Sequence, residues 1–265
     1  MCIRDRIIGV DCATDEARVG LAAARFDGSA GESAERIRLT EVACGGGEES
    51  IVETAARWAQ AARIDGLPVL LALDAPLGWP ARLGDVLHSH AAGQPVEPTR
   101  DEMFRRETDR VVRRMTGKLP LDVGADRIAR TAHWALGLMA SLGETLQTRV
   151  EAGWDPVSLP SLSAIEIYPA ALLKICGLPA SGYKRPDQRA TREVILDGLG
   201  EEISIECDVT LALEQADVLD SILCVVAGAD FLQGRCVEPE DGALARKEGW
   251  IWFRRPDQDS TRTRA

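Results

Sequence analysis

Residues 67–80 read LPVLLALDAPLGWP, and this stretch decides the fold because a continuous apolar run stops on an acid. An apolar run of strand length is typical of a strand covered on both faces, as in parallel sheets. An unpaired carboxylate is costly away from water, so the acid that ends the run, Asp74, needs a partner or a ligand. The stretch therefore predicts a layered α/β sheet with a functional position at a strand end.

A second apolar run that ends on an acid lies near the N-terminus. It is RIIGVDCA, residues 6–13, and its acid is Asp11. Two strand-like runs and an amphipathic helix separate it from the first stretch. These segments are 18–26, 36–44 and 48–64. If the helix is a right-handed crossover, the first and fourth strands are parallel, and their carboxyl ends share one sheet edge. We therefore expect Asp11 and Asp74 to meet where open α/β sheets bind ligands.

The remaining pattern completes one domain over residues 7–254. Prolines punctuate a helical insertion at about 81–160, and a strand pattern returns at 163–169. We expect helices near 81–92, 101–116, 126–152, 170–177, 189–200 and 209–234. We expect a short last strand, WIWF, at 250–253. We leave residues 1–6 out of the fold argument as a candidate non-native leader, and we expect the tail 255–265 to be frayed.

Composition limits the classes of function that the chain can have. It has 265 residues, a net charge of −11 and seven cysteines without a CxxC pair. Widely spaced cysteines favour a reducing compartment, and the chain has neither a signal-like apolar segment nor a membrane-length apolar run, so we expect a cytoplasmic protein. An acidic protein does not bind nucleic acid by broad phosphate neutralisation. Binding to nucleic acid would therefore need a local basic patch or a bridging metal ion.

Further acids accompany the two at the strand ends. Asp217 and Asp220 are three residues apart on the apolar helix, so they share a face, and Glu166 lies on the returning strand. Carboxylates that lie close together raise one another's pKa, and a hard divalent cation relieves that conflict. A cluster of these five acids predicts a site for Mg²⁺ or Mn²⁺, with two ions expected for phosphoryl chemistry.

Each of these acids also has an ordinary structural explanation. The two strand-end acids could cap turns or helices. Asp217 and Asp220 could pair with arginines of the insertion, and Glu166 could accept backbone hydrogen bonds. The residues alone leave these alternatives open.

One dense basic run offers a phosphate contact. It consists of Arg105, Arg106, Arg110, Arg113, Arg114 and Lys118. Arg106, Arg110 and Arg113 fall on one helical face, and arginine forks match phosphate oxygens. The alternative is a solvated helix face that pairs with Glu102, Glu107 and Asp109. Lys184, beyond the returning strand, is a further candidate substrate contact.

The glycine-rich stretch ACGGGEES, residues 43–50, precedes a helix and has the composition of an anion-binding loop. It lacks the GxxxxGK[ST] pattern of phosphate-binding loops, so a simple turn is the stronger interpretation. An ATP-dependent phosphotransferase would use such a loop, and this keeps that class of enzyme as an alternative.

Several of these segments together resemble a known family. They are GVDCA (9–13), ALDAPLGWP (72–80), FRRETDRVVRR (104–114), IEIYPA (165–170), YKR (183–185), ADVLDSILCVVAGADF (216–231) and EGWIW (248–252). In this order they resemble the predicted ribonuclease-H-like nucleases of domain-of-unknown-function family 429. The resemblance spans nearly the whole chain.

The resemblance implies a ribonuclease-H-like fold. Its mixed five-stranded sheet would contain a three-strand meander followed by parallel strands, with flanking helices. It implies Asp11 as the first-strand acid, Asp74 as the fourth-strand acid, and Asp217 or Asp220 as the helix acid, which together hold two metal ions. Many nucleases of that superfamily have glutamate where this chain has Asp74, whose side chain is one methylene shorter.

These observations lead to three functional hypotheses. The first is a metal-dependent nuclease or phosphodiesterase that acts on nucleic acid through Asp11, Asp74, Asp217, Asp220 and Glu166, with Asp11, Asp74 and Asp220 as the metal ligands. The second is a binding module of the same fold that binds a nucleotide or a partner without catalysis. The third is the ATP-dependent phosphotransferase.

Overall fold

The computed structural model describes residues 2–29, 36–124 and 126–256, and over these residues it has one mixed sheet with helices on both faces. Its strands are β1 (Cys2–Asp11), β2 (Gly20–Ser29), β3 (Arg36–Cys44), β4 (Val69–Asp74), β5 (Glu151–Ala152), β6 (Leu162–Glu166) and β7 (Ile203–Ile205). Residues 2–6, which we left out of the fold argument, belong to β1. The residues between β2 and β3, 30–35, and the tail from 257 onward lie outside the described residues.

The strand order is β5-β6-β4-β1-β2-β3-β7. Strands β1, β2 and β3 are antiparallel neighbours, whereas β4 is parallel to β1 and β6 is parallel to β4. The meander and the parallel crossover are therefore confirmed. The expected count of five strands is wrong, because the two- and three-residue edge strands β5 and β7 bring the sheet to seven in the described chain. Such short segments are too brief to give an alternating pattern.

The helices account for most of the remaining described chain. They are α1 (Ile51–Ile64), α2 (Ala81–Leu87), α3 (Arg100–Phe104), α4 (Glu107–Thr116), α5 (Asp126–Thr145), α6 (Pro169–Ile175), α7 (Arg189–Gly198), α8 (Thr210–Glu214), α9 (Ala216–Leu232) and α10 (Gly242–Glu248). Two of the expected helices are divided. The pattern at 101–116 breaks at the extended Arg105 and Arg106, which lie between α3 and α4, and the pattern at 209–234 breaks at the extended Gln215. The segment WIWF contributes a single isolated bridge, between Ile251 and Glu166, rather than a strand.

Side-chain alternation along the strands divides the core into two layers. On β1, Ile7 belongs to the layer that contains α9, and Ile8 and Val10 belong to the layer that contains α1 and α5. The insertion helices take part in both layers, because Val112 of α4 packs in the first and Leu138 of α5 in the second. The insertion therefore covers the sheet and shares its core.

Helix α9 packs unusually close to β1 and β2 because glycines face it. A Cβ atom added at Gly9 would lie 2.0 Å from the carbonyl oxygen of Ser221, and one at Gly20 would lie 2.0 Å from that of Asp217. Glycine at both positions therefore permits this approach. The packing fixes the first turn of α9 beside the carboxyl end of β1.

The last residue of α10 connects distant parts of the fold. Glu248 accepts hydrogen bonds from the backbone N–H groups of Ala81 and Glu107, both at 2.8 Å, and these are the first residues of α2 and α4. The first N–H groups of a helix have no partner within the helix, so this one carboxylate satisfies two helix starts.

Among the described residues, no helix has both the length and the apolar character needed to cross a bilayer.

Candidate metal centre

The sheet register brings two of the predicted acids together. Asp11 and Asp74 are the last residues of the parallel strands β1 and β4, and they are directly paired in the register. Paired residues of parallel strands point to the same face, and here that is the face on which α9 lies. Asp220, in the second turn of α9, completes a group of three, in which one carboxylate oxygen from each residue lies within 4.8 Å of the others.

The environment of Asp220 is fixed by a neighbouring loop. Its carboxylate is fully buried. The Tyr183 hydroxyl donates to Asp220 Oδ1 at 2.7 Å, and the Lys184 ammonium contacts Asp220 Oδ2. Both side chains come from the segment YKR, which therefore contributes directly to the acid group.

Burial makes this group of acids unfavourable as free anions. Burial and the charges of Asp220 and Asp74 raise the pKa of Asp11 well above its ordinary value. Burial raises the pKa of Asp74 to about 7, against the opposing effect of Lys184, and burial also raises the pKa of Asp220. Three hard oxygen donors in such an arrangement fit a hard divalent cation, which would favour the ionised carboxylates.

The other two predicted acids lie outside this group of three. Asp217 precedes Asp220 by one turn, is partly exposed, and has its Oδ2 atom 3.7 Å from Nε of Arg18. Glu166 pairs in register with Leu73, one residue before Asp74, so alternation directs it to the opposite face. Sequence spacing could not separate Asp217 from Asp220, because both lie on one helix face.

Glu166 instead belongs to a buried ion network. Its two carboxylate oxygens accept from the Arg106 guanidinium at 2.6 and 2.8 Å, and Asp109 accepts from the same guanidinium at 3.0 and 3.3 Å. The carbonyl oxygen of Glu248 takes a further bond at 3.2 Å. An arginine has five N–H donors, and all five of Arg106 are used. We therefore withdraw Arg106 from the phosphate contacts, although it lies at the wall of the cleft.

The rest of the predicted arginine face is also directed elsewhere. Arg110 pairs with Asp101 at 3.1 Å and with Glu107 at 3.4 Å, as in the solvated-face alternative. Arg113 is exposed, and neither it nor Arg110 lines the cleft. Of the four predicted substrate contacts, only Lys184 reaches the acids.

A cleft of about 590 Å³ opens over the acid group. Three further cations line it, and they come from separate parts of the chain: Arg18, Lys118 and Arg127. Lys118 ended the basic run in the sequence, but Arg18 and Arg127 are isolated cations that no local pattern distinguishes. Their position in one cleft depends on the tertiary structure.

The glycine-rich stretch at 43–50 has a structural role. A Cβ atom at Gly45 would lie 1.7 Å from the carbonyl oxygen of Glu16, and Ser50 begins α1 with a capping box that includes Glu53. None of its residues lines the cleft. The turn interpretation therefore describes this stretch better than an anion-binding loop.

Comparison with known proteins shows a family match over most of the chain. A family model described as "Protein of unknown function (DUF429)" matches residues 9–243, a span that contains all three acids of the group. No curated protein and no solved structure matches the chain significantly.

Proposed function

The chain belongs to the DUF429 family of proteins of unknown function, and we propose from its site that it is a divalent-metal-dependent hydrolase that cleaves phosphodiester bonds in nucleic acid. The observation that carries the proposal is the buried group of Asp11, Asp74 and Asp220, whose carboxylate oxygens lie within 4.8 Å of one another. Such a group is unfavourable without a cation, and it lies at the floor of an open cleft.

The topology supports a ribonuclease-H-like assignment within this proposal. Without the short edge strands, the order β6-β4-β1-β2-β3 is an antiparallel meander extended by parallel strands, as the resemblance implies. A shared fold supports a shared activity only by analogy, because one fold can carry many different sites. The placement of the three acids on two central strands and one helix is therefore the stronger support.

In the proposed reaction, Asp11, Asp74 and Asp220 hold Mg²⁺ or Mn²⁺ through carboxylate oxygens. A bound ion of this kind polarises a phosphoryl oxygen and lowers the pKa of a water ligand. Lys184, Arg18, Lys118 and Arg127 contact the phosphates from the walls of the cleft. The Tyr183 hydroxyl keeps the Asp220 carboxylate in one orientation.

The test is cleavage by the purified protein with Mg²⁺ or Mn²⁺ on single-stranded and duplex DNA, RNA, hybrid and branched substrates. We expect metal-dependent cleavage that is lost in Asp11→Asn, with the fold retained by circular dichroism. Mn²⁺ binding without cleavage of any substrate would favour the non-catalytic binding module. ATP binding with phosphate transfer would favour the phosphotransferase, for which the stretch at 43–50 offers no support.

A further inference from the structure

Lys184 is placed at the acid group by a loop that is itself firmly held. Arg192 is a buried arginine whose guanidinium donates to the carbonyl oxygens of Tyr183 at 2.6 Å and Arg185 at 2.8 Å. The same guanidinium donates to the carbonyl oxygen of Leu213 at 2.7 Å, near the end of α8. Arg192 therefore joins the backbone on both sides of Lys184 to the segment that leads into α9.

This loop uses both oxygens of Asp220. Tyr183 donates to Oδ1, and the Lys184 ammonium contacts Oδ2. A lysine is ordinarily an ammonium at neutral pH, and this one lies in direct contact with a carboxylate that favours its charged form. The Lys184 ammonium therefore lies against Oδ2 of Asp220, and a further cation at that oxygen would have to displace it or lie beside it.

The charge balance of the group indicates how many ions it needs. Three ionised carboxylates and one ammonium carry a net charge of two negative units, which one divalent ion neutralises. A second divalent ion would leave an excess of two positive units beside the Lys184 ammonium, whose side chain is 54% exposed. Like charges a few ångströms apart repel one another even where solvent screens them in part.

We infer that Lys184 replaces the second metal ion, so that the centre binds one divalent ion together with a lysine ammonium. This inference rests on the proposed function, and it revises the two ions that the sequence led us to expect. A lysine ammonium is a compact point charge with three donors, so it can contact a carboxylate and a phosphate oxygen together. Lys184 is accordingly a substrate contact as well as a counter-ion.

The experiment measures Mn²⁺ stoichiometry on the full chain by isothermal titration calorimetry and by electron paramagnetic resonance of free Mn²⁺. We expect one ion per chain in the wild type. Lys184→Met should admit a second ion, or bind the first about tenfold more tightly, because it removes a like charge from the site. Lys184→Arg should keep one ion. Lys174→Met, an exposed change on α6 outside the cleft, is the matched control and should also keep one ion.

The outcomes separate this inference from the proposed function. Two ions in the wild type, or a Lys184→Met protein with unchanged stoichiometry and affinity, would overturn the role of Lys184 and leave the metal centre in place. No Mn²⁺ binding by the folded wild type would overturn the metal centre and the inference together. Circular dichroism on each variant checks that it is folded, and Lys184→Arg gives a second comparison if Lys184→Met does not fold.

Discussion

Asp74 is partly protonated at neutral pH in the apo protein, because its pKa lies close to that pH, and a metal ion has to displace the proton. Burial raises its pKa in the folded state to about 7, whereas an unfolded aspartate has a pKa of about 3.9. Between these values the folded state binds more protons than the unfolded state, so the apo protein loses stability as pH rises through this window. Ligation requires the ionised form, so metal binding releases the proton and becomes tighter with pH.

We therefore expect the Kd for Mn²⁺ to fall between pH 6 and pH 7 by about tenfold for each proton released. Calorimetry in buffers with different ionisation enthalpies measures both the Kd and the number of protons. An affinity that does not change over this range would mean that Asp74 is not a ligand.

Neutralising Asp11 should separate metal binding from stability. In Asp11→Asn, the loss of a buried charge should leave the apo protein at least as stable as the wild type at pH 8. Mn²⁺ at 100 times its Kd should stabilise the wild type by about 2.7 kcal/mol, or roughly 5–10 °C in Tm, and should not stabilise the variant. Asp217→Asn, which lies outside the group of three, is the control and should keep most of the shift in a thermal melt.

Alanine variants of Arg106 and Arg110 compare a buried ion network with ion pairs that are exposed to solvent. Arg106→Ala should lower the free energy of unfolding by about 3–5 kcal/mol, because it leaves Glu166 and Asp109 as unpaired buried charges. Arg110→Ala should lower it by only about 0–1 kcal/mol, because its pairs are exposed to solvent. Urea unfolding monitored by tryptophan fluorescence measures both values. Similar losses in the two variants would argue against the network.

These residues show why the sequence predicted part of the site. Asp11 and Asp74 were identifiable because each interrupts an apolar run at a strand end, where parallel pairing brings them together. Helical spacing narrowed the third acid to Asp217 or Asp220 but could not choose between them. The pairing of Arg106 with Glu166, 60 residues apart, leaves no local pattern, so both residues resembled site residues.

At the scale of the elements, the close packing of α9 on β1 determines the geometry of the site. Gly9→Ala would place a Cβ atom 2.0 Å from the backbone oxygen of Ser221, so the helix has to move. We expect a loss of about 1–3 kcal/mol or more, with weakened Mn²⁺ binding because Asp220 precedes Ser221 on the displaced helix. Gly137→Ala in α5, where an added Cβ has no neighbour within 4 Å, should instead stabilise the protein by about 0.5–1 kcal/mol.

The comparison of these two variants uses urea unfolding and Mn²⁺ titration. Gly9→Ala with normal stability and normal metal affinity would show that α9 tolerates a looser contact with the sheet.

The elements that the sequence predicted well are those with a strong local signal. The meander and the crossover helix α1 have apolar patterns and turn residues at their ends, and the structure confirms them. The strands β5 and β7 exist only because a longer neighbour offers an edge for pairing. The break at Gln215 was missed because apolar residues continue on both sides of it.

At the scale of the whole molecule, the net charge opposes the binding of nucleic acid, whereas the cations of the cleft favour it. The net charge of −11 repels a polyanion, so attraction must come from the few cations in the cleft. In the Asp11→Asn background, we expect Lys118→Glu and Arg127→Glu to weaken binding of single-stranded nucleic acid. Each should also reduce the slope of log K against log salt by roughly 0.7. Fluorescence anisotropy at several salt concentrations measures the slope.

Arg113→Glu carries the same change of charge but lies outside the cleft, so it should leave the slope unchanged. A larger effect at Arg113 than at Arg127 would place the nucleic acid on the exposed face of α4 instead.

The hydrogen bonds of Glu248 also affect when the insertion helices can fold during synthesis of the chain. Glu107 and Glu248 are 141 residues apart, and Ala81 and Glu248 are 167 residues apart. At a synthesis rate of about 5–20 residues per second, roughly 7–28 s pass between the emergence of α4 and that of the carboxylate that caps it. During this interval the insertion helices lack a contact that fixes their starts. Folding of the cleft wall therefore waits for a late segment of the chain, as the high sequence separation of these contacts also predicts.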